Sequence, residues 1–438
     1  MITPIFDFVK KYSDSKMSRF HMPGHKGTGQ LGCEKLDITE INGADVLYSA
    51  DGIIEESENN LTSLYGTCHS FYSTEGSTLA IKAMLRLVSE GNNAHRPLIL
   101  AARNVHTAFI KAAALLDLDV EWIYSESQSH LCSCNISADD VRVSLDGLEQ
   151  KPCAVYLTSP DYLGNMLDIS GIAKVCKERE IPLVVDNAHG AYLKFLPEDL
   201  HPISLGAAIC ADSAHKTLPV LTGGAYLHIS KDYPDFADRA RDALSLFAST
   251  SPSYLTLCSL DLCNKRLAED YPERLKTLVS KIGEIKEKIS GLGYIICDNE
   301  PLKITVKSQF DLAHQLRKYG IEPEFSDKDY TVLMLTPENT DEDFDRLIRA
   351  FSEIKPVNVV EENDIAPRPH NEKISIRTAI FSKNEPVNAE NSLGRICAMP
   401  TVSCPPAVPI VISGERITES DVKLFKHYGI DTINVVVE

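Results

Sequence analysis

The sequence predicts an α/β protein with a mostly parallel sheet. The expectation rests on the regular alternation of short apolar runs with segments of helical period, on strand ends rich in polar residues, and on a length of 438 residues. That length supplies one large domain plus a smaller one or two.

Six runs read as strands: PLILAAR (97–103), VEWIYS (120–125), CAVYLTSP (153–160), PLVVDNAH (182–189), AAICADSAH (207–215) and GGAYLHIS (223–230). Between them STLAIKAMLRLVSE (77–90), HTAFIKAAALLD (106–117) and SGIAKVCKERE (170–180) repeat apolar residues at helical spacing, so they are expected to cover the sheet faces through right-handed crossovers. Too few residues join the last two strands for a helical crossover, which predicts that GGAYLHIS runs antiparallel to its neighbours. From about residue 245 the pattern turns to long charged helices (253–293) and then to the shorter strand signals LKITVK and YTVLMLTP, which suggests a hinge helix entering a second domain. The proline- and charge-rich stretch 356–372 marks a further boundary, before CPPAVPIVISGERI (404–417) and a final strand DTINVVVE. The expected organisation is an N-terminal segment 1–62, a large domain 63–245, a small domain 246–356 and a C-terminal subdomain 357–438.

Composition narrows the function. With 62 acidic against 44 basic residues the net charge is −18, a field that opposes nucleic acid and anionic membrane surfaces. No apolar run reaches the ~18 residues of a membrane span, and the opening MITPIFDFVKKYSDSK lacks a signal-peptide core, so a cytoplasmic location is expected. The 12 cysteines are scattered, which fits reduced thiols rather than a disulfide framework. His130, Cys132 and Cys134 have no second ligand pair and read as a polar loop, so no metal is expected.

Ligands of open α/β sheets bind at the carboxyl ends of strands, and four such ends are chemically loaded. Gly76, Ser77 and Thr78 start a helix whose free N–H groups and dipole suit a phosphate; a plain Ser or Thr cap explains the same residues. Asp186 ends PLVVD, where a carboxylate is costly unless paired with a cation or used as a cap. His106 follows the strand ending near Arg103 and offers a flat ring for stacking or a capping group. Lys216 follows AAICADS among His215, Pro219, Gly223 and Gly224, a setting in which partial burial near other positive charge would lower the pKa of an amine that must be neutral to attack. A strand-end lysine, an upstream carboxylate and a phosphate cradle together equip a site for pyridoxal 5'-phosphate.

The chain resembles the ornithine/lysine/arginine decarboxylases, in their short bacterial form. The resemblance lies in FHMPGHKG (20–27), DITEINGADVLYSADGIIEESENNLTSLYG (37–66), GST (76–78), RNVH (103–106), VDNAHGAY (185–192), SAHKTLPVLTGGAYLH (213–228) and CPPAVPIVISGE (404–415). It implies an aspartate-aminotransferase-like, fold-type-I large domain with a mostly parallel seven-stranded sheet and smaller α+β C-terminal parts. It further implies Lys216 as the Schiff-base lysine, Asp186 as partner of the pyridine nitrogen, His106 stacked on the ring and Ala188 against its other face. Ser77, Thr78, Ser213 and His215 would hold the phosphate, with Gly76 admitting it closely. His189 and Thr158 would lie near the ring substituents or the substrate. The implied activity is decarboxylation of lysine, arginine or ornithine to cadaverine, agmatine or putrescine, as in polyamine biosynthesis, by a homodimer with PGHKG near a shared site. Three residues depart from the family pattern: Glu75 replaces asparagine, Cys404 an aromatic and Ala407 a glycine. Glu390 and Glu415 are candidates for binding the substrate's distal cation. Another fold-type-I activity, aminotransferase or lyase, and a non-catalytic binding relative are the alternatives.

Overall fold

The structure is a computed structural model that describes residues 1–91, 96–125, 130–297, 300–307, 311–356, 366–370, 373–400 and 406–437. The chain divides into two compact units, Met1–Val88 with Pro182–Lys276 and Ser89–Ile181 with Thr277–Glu438. Seven strands, β1 (His69–Ser73), β2 (Leu98–Ala102), β3 (Asp119–Ile123), β4 (Ala154–Thr158), β5 (Leu183–Asp186), β6 (Ile209–Asp212) and β7 (Ala225–Ile229), form a sheet of order β1-β7-β6-β5-β4-β2-β3. All six predicted strands are present.

In the first unit β6 pairs with β5 in parallel and with β7 antiparallel, as the short connection between β6 and β7 requires. The strand β1, which sequence reasoning missed, pairs antiparallel with β7 from His69↔Ile229 to Ser73↔Ala225. Its sequence HSFYS lacks an apolar run because Ser70 is buried by side-chain pairing: its hydroxyl meets Thr67 Oγ1 at 2.7 Å and His228 Nδ1 at 2.8 Å. The helix Gly76–Ser89 buries Leu79, Ala80, Ile81, Ala83, Met84, Leu85, Leu87 and Val88. Such wide burial suits a helix lying against a sheet.

The second unit pairs β2 in parallel with both β3 and β4. The predicted helices 106–117 and 170–180 are Thr107–Leu116 and Ile169–Glu178. The later strand signals belong to a four-stranded sheet of β8 (Ile295–Ile296), β9 (Lys303–Lys307), β10 (Phe325–Ser326) and β11 (Tyr330–Met334), ordered β10-β11-β9-β8. The last strand β13 (Thr432–Val436) pairs with β12 (Asn384–Asn388). Around that pair Val408, Ile410, Val411, Ile417, Phe425, Ile433 and Val435 form a buried cluster, so the proline-rich tail has an apolar core of its own. The predicted hinge helix is two helices, Tyr254–Glu269 and Tyr271–Gly291; Pro272 is tolerated only near a helix start, which explains the break. Among the described residues no helix is long and apolar enough to cross a membrane, and the described cysteines form no disulfide with one another.

Candidate active site

The chain leaves β6 at Asp212 and makes one helical turn, Ala214–Thr217, in which Lys216 N donates to Ser213 O at 3.1 Å. This turn is tied to the start of β7: His215 donates from its backbone N (3.1 Å) and from Nδ1 (2.9 Å) to the carbonyl of Gly224. Both glycines of the TGG run are needed. A Cβ on Gly224 would lie 2.3 Å from Val220 Cγ1, and one on Gly223, whose φ is +97°, would lie 2.8 Å from the Thr74 carbonyl oxygen. The carbonyl of Gly223 in turn accepts Gly76 N at 2.7 Å. One loop therefore braces both the lysine turn and the start of the Gly76–Ser89 helix.

Lys216 is partly buried, with Nζ 3.1 Å from His189 Nε2. His189 and Asp186 are both buried, and Asp186 Oδ1 accepts Ala188 N at 3.1 Å. The backbone turns tightly after β5: a Cβ on Gly190 would stand 1.9 Å from Asn187 Oδ1. At the helix start Ser77 Oγ receives a hydrogen bond from Ser213 Oγ at 2.7 Å, Thr78 is exposed, and Gly76 (φ +72°) has nothing within 4 Å of a Cβ position. Since β1 and β6 each run antiparallel to β7, and β5 is parallel to β6, the cradle after β1 lies on the same sheet edge as Asp186 and Lys216. Nine of the predicted residues are thus in the first unit: Gly76, Ser77, Thr78, Asp186, Ala188, His189, Ser213, His215 and Lys216. An amine, a buried carboxylate and an open glycine-led helix N-terminus on one edge fit pyridoxal phosphate. Glu75 is turned outward, where its Oε1 accepts Ser249 N at 2.8 Å, so this departure leaves the cradle open.

His106 belongs to the second unit, where it caps Thr107–Leu116 by accepting Ala108 N on Nδ1 at 3.1 Å. Beside it Thr107 N donates to the carbonyl of Ala407 at 3.0 Å. Ala407 has φ +58°, the left-handed region that glycine tolerates best, which is the physical sense of the family's glycine there. Thr158 Oγ1, at the end of β4, is buried without a hydrogen-bond partner among the described residues. Glu415 is 2% exposed, 3.6 Å from Arg103 Nη2 and 3.4 Å from His370 Nδ1, and accepts Ile412 N at 2.7 Å. Those partners occupy its charge within the unit, whereas Glu390 is exposed. Cys404 lies outside the described residues. The 130–135 stretch, expected to be a polar loop, is instead mostly core: Cys132 and Cys134 are buried, burial pushes both thiols up, and His130 Nε2 contacts Asp327 Oδ2 at 2.9 Å. Asp327, distant in sequence, supplies the partner that made this burial possible.

Comparison with known proteins is decisive at this point: the model of the Orn/Lys/Arg decarboxylase major domain matches residues 3–337. The chain belongs to the Orn/Lys/Arg decarboxylase family. It is a pyridoxal-phosphate-dependent amino-acid decarboxylase of the fold-type-I class. Among its curated relatives are proteins named arginine decarboxylase from Bacillus subtilis, 27% identical with 97% of this chain and 93% of that protein covered, and from Halalkalibacterium halodurans, 28% identical with 96% and 92% covered. Among solved structures, the lysine decarboxylase of Francisella novicida aligns with TM-score 0.81 at 17% identity, covering all of this chain and 81% of that one. The constitutive lysine decarboxylase of E. coli aligns with TM-score 0.79 at 16% identity, covering 99% and 81%. At these identities the structural likeness speaks for the fold.

Sequence reasoning passed over one group beside the site, Asp212 with Asn187, His201 and His228. The available signal was a carboxylate next to Ser213 on an otherwise apolar strand, which demands a buried partner.

Proposed function

We propose that this decarboxylase acts on a basic amino acid, lysine, arginine or ornithine, releasing carbon dioxide and cadaverine, agmatine or putrescine. The observation that carries the reading is the placement of Lys216, 3.1 Å from His189, on the same sheet edge as the buried Asp186. When bound, pyridoxal phosphate supplies an aldehyde for amines and a ring that withdraws electrons from the bond to the carboxylate. Lys216 would hold that aldehyde and release it to a substrate amine, with His189 Nε2 within reach to take or return a proton. Asp186 would keep a proton on the ring nitrogen, which would make the ring an effective acceptor. Ala188 would pack against the ring, His106 would stack on it, and Ser77, Thr78, Ser213 and His215 would hold the phosphate beside Gly76. The names of the curated relatives and of the structural neighbours support a basic substrate, and the charge of −18 does not repel one.

A homodimer in the cytoplasm, serving polyamine synthesis, completes the proposal. Its support within the chain is the segment around PGHKG, where Met17, Phe20 and Met22 are 68%, 94% and 70% exposed; apolar side chains so open to water suit a covered surface. The test is direct. Purified protein loaded with pyridoxal phosphate is offered lysine, arginine and ornithine separately, and carbon dioxide and amine product are measured. Release of one amine with stoichiometric carbon dioxide is expected. Product formation that requires an added keto acid would point to transamination, and a colour change without product to a binding protein; either result overturns the proposal.

A further inference from the structure

Behind the candidate site, on the opposite face of the sheet, lies a fully buried polar cluster that no step above uses. Asp186 pairs in register with Ala211, and successive strand residues point to opposite faces. Asp212 therefore points away from the face that carries Asp186. Its side chain is wholly buried, as are those of His201 and His228. Asp212 Oδ2 lies 3.0 Å from His201 Nε2 and 3.4 Å from His228 Nε2, while Oδ1 accepts Asn187 Nδ2 at 2.8 Å and the Cys210 thiol at 3.2 Å. His201 Nδ1 accepts Ile203 N at 3.3 Å, so the ring proton sits on Nε2 and is given to Asp212. A nitrogen committed in this way is not a metal ligand.

The groups facing this carboxylate are those two imidazoles, the Asn187 amide, the Cys210 thiol and, stacked 4.2 Å from the His228 ring, Tyr65. Burial opposes the charge on Asp212, yet His201 and His228 hold its carboxyl well below the usual range. Burial also pushes His228 below its ordinary value, and Tyr65 and Cys210 well above theirs, so these neighbours stay neutral around one anion.

The position of that anion gives it a role. Asn187 follows Asp186 directly, and its backbone N donates to Ala211 O at 2.9 Å. Ser213, which bonds Ser77, follows Asp212 directly. One carboxylate thus joins the segment Asp186–His189 to the segment Ser213–Lys216, the two stretches that carry the proposed carboxylate, the lysine and the phosphate contacts of Ser213 and His215. We infer that Asp212 is a positioning residue: through Asn187 it fixes the end of β5 against the end of β6 and places a buried negative charge behind the coenzyme. The inference rests on the functional reading above.

The test uses the full chain with added pyridoxal phosphate and three variants, Asp212→Asn, Asn187→Ala and Lys216→Ala. Coenzyme affinity is read from the visible band on titration, the pH midpoint of that band is followed, and folding is checked by melting temperature. Losing the Asn187–Asp212 bond in Asn187→Ala, or the charge that strengthens it in Asp212→Asn, weakens coenzyme binding about tenfold, the cost of one charge-assisted hydrogen bond. Across the sheet, at a separation of roughly 10 Å and an effective dielectric of ~20, removing the charge in Asp212→Asn lowers the midpoint by roughly one pH unit. Asn187→Ala, which removes no charge, leaves the midpoint in place. A merely structural role would lower the melting temperature while the folded protein kept wild-type affinity and midpoint; that result overturns the inference. If Asp212→Asn does not fold, Asn187→Ala decides by affinity alone. Wild-type protein with no visible band, or Lys216→Ala with the wild-type band, would instead sink the functional reading itself.

Discussion

Replacing Asp261 by asparagine is expected to stabilise the protein at alkaline pH and to remove part of its pH dependence. Asp261 is 0% exposed in the helix Tyr254–Glu269, yet serves the start of another helix, Pro4–Asp14, whose own cap Thr3 makes no side-chain hydrogen bond. Its Oδ2 accepts Phe6 N at 2.9 Å and its Oδ1 accepts Ser57 Oγ at 2.5 Å. Burial, opposed in part by those hydrogen bonds, pushes the carboxyl from 3.8 up to about 6. A shift of about two units corresponds to roughly 3 kcal/mol. Because the folded value lies above the unfolded one, the charged form is the disfavoured one. Its cost is full above about pH 6 and is relieved as pH falls through 6 towards 4. An asparagine keeps the shape and removes the charge, at the loss of about 1 kcal/mol from a weaker cap, so the net gain at pH 8 is roughly 2 kcal/mol. With an unfolding entropy of ~2 cal/mol/K per residue, a chain of this length gains about 2 °C. Melting curves of both proteins at half-unit steps from pH 5 to 8 check this. The variant is expected to melt higher at pH 8, with the difference shrinking towards pH 5. A difference that is constant across the range, or a variant less stable at pH 8, would refute the reasoning.

The other expectations concern the site and its supports. Lys216→Ala should leave the fold intact and abolish the covalent, borohydride-fixable attachment of pyridoxal phosphate, read by mass spectrometry. Gly223→Ala forces a Cβ to 2.8 Å from the Thr74 carbonyl at φ +97°, and it should weaken coenzyme binding about tenfold or more through the braced helix start. Ala407→Gly relieves left-handed backbone at φ +58° and should raise stability by about 1 kcal/mol in a denaturant titration. Burial alone would lower His370, but the Asp421 and Glu415 carboxylates beside it raise it to about 9. The stability it contributes is complete below pH 6.5 and is lost as pH rises from there through 9. His370→Gln should therefore flatten the fall in melting temperature between pH 7 and 9.

What could be read locally was read correctly for local reasons. The runs before Asp186 and Lys216 are strands, and the residues after them turn, because apolar stretches followed by Asn, Gly and Pro act over a handful of neighbours. The antiparallel course of β7 followed from the shortness of its connection to β6. β1 escaped notice because HSFYS is buried through Ser70 pairing with Thr67 and His228, and the second partner is 158 residues away. The 130–135 stretch was misread as polar for the same reason, since Asp327 makes its burial tolerable.

The sequence by itself determined the family and the chemical kinds of residue at each strand end, since these depend on residue types at short fixed spacings. Only the tertiary structure decided which charges are already paired. Glu415, a candidate for binding substrate, is occupied by Arg103 and His370, Glu75 turns to Ser249, and Asp212 collects Asn187, His201 and Cys210. An ionic partner is chosen by distance and burial in three dimensions, and neither is written in the order of the chain.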